Sequence, residues 1–171
     1  MGWADLVVRL IDGVNEHIGR LTSYIILPML AVMIYEVIMR YYFQAPTIWG
    51  TEMITFLFAG YTLMGAGYAH LKNAHVNMNA LYGRFSQRTQ AVCNLVTWIG
   101  FLAYCGVLFY ESSRFFWDVF SSGRASGTDW NPKLWPVVIT LPLGVLLLLL
   151  QGIAKLIRDI RRVASRWEER G

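Results

Sequence analysis

Four long apolar blocks constrain what this chain can fold into. Leu21 to Met39 runs 19 residues, interrupted only by Glu36. Met53 to Leu71 runs 19 with no formal charge, Thr89 to Tyr110 runs 22, and Leu134 to Ala154 runs 21 between Lys133 and Lys155. A bilayer core of about 30 Å needs about 20 apolar residues as helix. A helix satisfies its own backbone hydrogen bonds in lipid, so helices are expected over open strands. The expected fold is all-α: an integral membrane protein with four transmembrane helices at approximately 21–39, 53–71, 89–110 and 134–154, in one membrane domain over 1–171. Composition agrees, with 56% hydrophobic and 15% charged residues, against about 25% charged in soluble domains. That balance excludes a soluble enzyme, a disordered chain and a disulfide scaffold.

Lys and Arg set the orientation. Arg9 and Arg20, then Lys72, Arg84 and Arg88, then six residues from Lys155 to Arg170 fall on one side, eleven in all. Arg40, Arg114, Arg124 and Lys133 make four on the other. Both termini are therefore expected in the cytoplasm. The net charge of +4 follows from topology, and no basic module for nucleic acid is visible. No cleavable signal peptide is evident, because Asp5, Arg9, Asp12, Glu16 and Arg20 crowd the start.

Residues 1–20 form an expected interfacial arm. Trp3, Leu6, Val7, Leu10, Ile11, Val14 and Ile18 trace an amphipathic stripe, with Asp5, Arg9, Asp12, Asn15 and Glu16 opposite. Residues 155–171 repeat the pattern as a basic tail whose arginines are expected to meet lipid headgroups. Between the first two blocks, Pro46 stops a helix, Thr47 can cap the next, and Glu52 falls in its first turn. In the connection 111–133, the run Ser121-Ser-Gly-Arg-Ala-Ser-Gly reads as a flexible turn.

Few polar residues are placed for chemistry. Glu36 and Arg40 are four apart and can meet on one helix face, as a helix-end ion pair or a contact to another subunit. His70 and His75 are five apart, off the spacing for two metal ligands on one face. Cys93 and Cys105 form no C-x-x-C pair. No cofactor, metal site, catalytic set or substrate site is expected, so the chain does not read as an enzyme. Gly65 and Ala69 in the second block form a small-xxx-small pair that lets another helix approach, while the run Leu146 to Leu150 is expected to leave part of the fourth block facing lipid.

Residues 35–52, Tyr-Glu-Val-Ile-Met-Arg-Tyr-Tyr-Phe-Gln-Ala-Pro-Thr-Ile-Trp-Gly-Thr-Glu, resemble the small permease subunit of tripartite ATP-independent periplasmic (TRAP) transporters, the DctQ type. That family has Arg and aromatics closing span one, then Pro-x-x-Trp-x-x-Glu opening span two, matched by Arg40, Tyr41, Phe43, Pro46, Trp49 and Glu52. Thr51 stands where the family often has a first acid. His75 and Val76 match the pattern after span two, with Asn79 in place of an Asp, and Pro142, Gly144 and Gln151 fit span four.

The resemblance implies a scaffold subunit in a bacterial inner membrane, surrounded by lipid. Its partners would be a large permease subunit, which carries the substrate and sodium sites, and a periplasmic substrate-binding protein, for ion-gradient-driven uptake of an organic acid. Glu36, Arg40, Trp49, Glu52, Gly65, Ala69 and His75 would then serve the structural motif and subunit interface. Arg114, Arg124 and Asp129 would offer a docking surface for the binding protein. Two other readings compete: a self-sufficient homodimeric four-helix exporter, and a membrane redox enzyme.

Overall fold

The computed structural model describes residues 3–72 and 87–168, and side chains within 3–72 and 97–160. Among the described residues six helices follow in order: α1 (Trp3–Ser23), α2 (Ile26–Tyr41), α3 (Gly50–Leu71), α4 (Gln87–Ser122), α5 (Trp135–Val138) and α6 (Thr140–Glu168). Among the described residues the sole β feature is an isolated antiparallel bridge between Ala125 and Lys133.

Two prolines place the interruptions. Pro28 lacks the N–H that would bond the Tyr24 carbonyl, and its ring crowds that turn. The ladder tightens there, with Leu27 N–H donating to Tyr24 O at 3.2 Å, and α1 passes into α2 through Tyr24 and Ile25. Pro142 does the same to the turn before it, separating short α5 from α6 at Ile139. Each pair reads as one interrupted rod. Those two rods contain the segments long and apolar enough to cross a membrane among the described residues: Asp5–Tyr41 and Trp135–Arg158.

Side-chain neighbours fix how the helices run. Glu36 of α2 meets the start of α3, and Asn15 and Gly19 of α1 meet Gly67 and Tyr68 near its end. The α1–α2 rod is thus antiparallel to α3. Gly60 faces Thr140, Leu63 faces Gly144, and Gly67 faces Leu147, so α3 and α6 are parallel. Phe101 lies on Gly152 while Phe120 meets Trp135, so α4 is antiparallel to the α5–α6 rod. One end of the bundle carries the α2–α3 corner; the other carries the first turns of α1.

Among the described side chains, Phe101 of α4 stacks on His70 of α3, and Phe120 meets Trp135 of α5. Glu111, Arg114 and Asp118 lie between these two contacts, past the end of the apolar block 89–110. The core sits along α6. Val145, Leu147, Gln151, Gly152 and Ala154 are buried, and the rest of Leu146–Leu150 is half-buried. Leu143 is exposed, so part of the fourth block faces outward, as expected. Exposed apolar surface is also found on α2, at Leu27, Leu30, Ile34 and Ile38, and on α4, at Ile99, Tyr104, Val107 and Tyr110.

Candidate functional site

The α2–α3 corner is built around one carboxylate. Glu36, 5% exposed, accepts from Arg40 Nη2 at 2.9 Å and from the Thr47 hydroxyl. Thr47 Oγ1 in turn accepts the Gly50 N–H at 3.1 Å, which caps the first turn of α3. Gly50 is buried, and a Cβ there would run into the Glu36 carboxylate and Thr47 Oγ1. Arg40 also donates to Thr51 Oγ1 at 3.3 Å. Trp49 stacks on Tyr35 with ring centroids 5.9 Å apart. Glu36, Arg40, Trp49 and their neighbours thus tie α2 to α3 within one chain, and Thr47 is the hinge of the network.

Glu52 reaches a different partner. Its Oε2 accepts from Thr128 Oγ1 at 2.7 Å, and Phe56 one turn on lies 6.4 Å from the Trp130 ring. The segment 123–134 is therefore held on α3, and it is a knotted turn of hydrogen bonds where a flexible one was expected. Gly127 N–H donates to Asn131 Oδ1 at 3.0 Å, Ser126 N–H to Pro132 O at 3.0 Å, and Lys133 Nζ to Gly123 O at 3.0 Å. Gly123 and Gly127 adopt φ of 62° and 74°, where a side chain would be strained. Arg124 pairs with Asp118 at 2.8 Å across the helix–loop junction, and Asp129 is exposed at the tip. Arg114 does not join them. It lies on α4, over the Tyr110 ring and 3.8 Å from Glu111.

A second polar cluster occupies the opposite end. Asp12 accepts from Gln151 Nε2 at 2.9 Å and from Arg158 Nη1 at 2.7 Å. Gln151 is 0% and Asn15 1% exposed. Asn15 donates to Ile11 O, and its Oδ1 abuts the Cα of Gly67. Glu16 pairs with Arg20 and, at 3.9 Å, with Lys72. The polar face of α1 thus packs against α3 and α6, while Trp3, Leu6, Leu10 and Val14 point outward. The tail arginine at 158 meets a carboxylate of its own chain. Sequence spacing missed this cluster, although a lone Gln in the apolar run 134–154 was a signal that some polar group must face it.

The small residues of α3 divide between two roles. Gly60 and Gly67 face α6 and α1, and Gly144 of α6 packs directly on the Leu63 carbonyl. Gly65 has open space where a Cβ would sit, and Ala69 is half-buried on the same side. Cys105 is buried with a free thiol; the Cys93 side chain and His75 lie outside the described residues. Among the described residues, no three His, Cys, Asp or Glu side chains converge as metal ligands.

A family model settles what the chain belongs to. The model for tripartite ATP-independent periplasmic transporters, DctQ component, matches residues 29–162. The chain belongs to the DctQ family. The match spans everything from α2 through most of α6, including the corner, the loop on Glu52 and Gln151. The protein is accordingly a membrane component of a TRAP transporter, its small permease subunit. DctQ is a transporter component family, and membership in it gives no support to the self-sufficient exporter. A comparison with curated proteins gave no match.

Proposed function

We propose that this DctQ subunit is a rigid scaffold that crosses the inner membrane four times and braces the large permease subunit. The reading is supported above all by the corner: Glu36, Arg40 and Thr47 are spent on each other, leaving a fixed platform at one end of the bundle. The α1–α2 rod, α3, α4 and the α5–α6 rod run alternately up and down beside one another, which suits four crossings with both termini on one side. The basic residues put those termini in the cytoplasm. Under this assignment the corner end is periplasmic. Trp49, Trp130 and Trp135 then lie at the outer interface, where amphipathic rings are favoured.

The loop 123–134, pinned by Glu52, is the part of the periplasmic end best formed to receive a binding protein. Arg124 and Asp129 offer the charges, while Arg114 sits about 9 Å below Phe120 by helix rise and is removed from that surface. Substrate and sodium would be handled by the large subunit, and the transported molecule would be an organic acid. Uptake into liposomes tests the reading. The small subunit alone should transport nothing, and the three components together should transport. Arg124→Ala with Asp129→Ala should weaken uptake without loss of the membrane complex. Transport by the small subunit alone would refute the scaffold role, and undiminished uptake by the double variant would remove the loop from docking.

A further inference from the structure

We infer that the outward face of α4 midway between Phe101 and Phe120 seats a transmembrane helix of the large permease subunit, and that Glu111 and Arg114 are the polar pair this helix meets. The inference rests on the four-crossing scaffold reading and names the face through which it acts.

Depth is the first observation. Phe120 meets Trp135 at the corner end, and Phe101 stacks on His70 at the other. Glu111 lies nine residues from one marker and ten from the other, about 13–15 Å from each at 1.5 Å per residue. The neighbouring stretches of α3 and α6 at that level carry no charge. Glu111 and Arg114 nevertheless project from the bundle, their side chains 60% and 66% exposed. At 3.8 Å the pair touches without a hydrogen bond, so both groups keep free capacity where neither water nor hydrocarbon can fill it. Ionisable groups at such depth face protein.

The second observation is the contrast between two outward faces. That of α2 carries Leu27, Leu30, Ile34 and Ile38, all apolar and exposed, which suits lipid. That of α4 also exposes Ile99, Tyr104, Val107 and Tyr110, but adds to them the charged pair and Gly100, which has nothing within 4 Å of an added Cβ. Small residues admit close helix approach, and the charges ask for an acceptor near Arg114 and a donor near Glu111. An acyl chain supplies neither.

The test uses the small and large subunits expressed together and purified from membranes. In Glu111→Leu/Arg114→Leu the face becomes more apolar, so insertion is preserved and a lipid-facing α4 would be unharmed. Retained large subunit should instead fall at least tenfold. Glu111→Gln/Arg114→Gln, which keeps polarity, should lose less. A photo-cross-linking residue at Val107 should capture the large subunit, and one at Leu30 should capture lipid. Full retention in the Leu/Leu variant, or capture of lipid alone from position 107, would overturn the inference. If wild type retains the large subunit and position 65 captures it while 107 does not, this inference alone fails. If wild type retains no large subunit, the scaffold reading fails with it.

Discussion

Thr47 does three things with one hydroxyl and one backbone position. It caps α3, it donates to Glu36, and through Glu36 it shares the Arg40 guanidinium. Thr47→Val keeps the shape and removes the hydroxyl, so the Gly50 N–H loses its cap. The expected cost is about 1–2 kcal/mol, read as a lower midpoint in detergent melting. Thr47→Ser should restore most of it. Glu36→Ala should be the more damaging change, because it strips both Thr47 and Arg40 of their acceptor, and Glu36→Gln should fall between. Equal midpoints for Thr47→Val and wild type would remove the capping account. Glu36 and Arg40 were legible as a pair from their spacing of four. That the pair also reaches across eleven residues to Thr47 was not, because the angle of the corner decides it and periodicity carries no angle.

Close helix contacts in this bundle rest on glycines. Gly144 packs on the Leu63 carbonyl and Gly67 on Asn15 and Leu147; without water to drive association, such close van der Waals approach is what holds helices together in lipid. Gly144→Val has no room, and over-packing of this kind costs about 1–3 kcal/mol. Gly65→Ala meets open space and should leave the melting midpoint of the isolated subunit unchanged or higher. Comparable losses at both positions would refute the division of the small residues into internal and outward sets. The small residues of α3 are plain in the sequence, and their spacing assigns Gly65 and Ala69 to an outside helix; that Gly60 and Gly67 serve the packing within the chain was not legible. The reason is that small residues four apart do not say which neighbour meets them. The arm shows the same limit. Its amphipathic stripe was plain, yet which face turns inward depended on Gln151 and Arg158, more than a hundred residues away.

For the whole molecule, the alternating directions of the rods and the distribution of Lys and Arg support the proposed arrangement in the membrane. In a cysteine-free background, Asp129→Cys should react with an impermeant maleimide added outside intact spheroplasts. Arg170→Cys should react only after permeabilisation. Reaction of both from the same side would leave an odd number of crossings and break the proposed topology. Fold class was readable from block length alone. How α4 is held was not, since its ring contacts at Phe101 and Phe120 straddle the end of the apolar block 89–110. Hydropathy marks where a helix is greasy, whereas packing marks where its neighbours are.

Asp12 waits for Arg158. The first helix leaves the ribosome with its Asp12 carboxylate lacking the two donors that later hold it, and the second of those is made 146 positions afterwards. Any nascent chain stopped short of α6 therefore carries an unanswered carboxylate near its amino end that a finished copy does not.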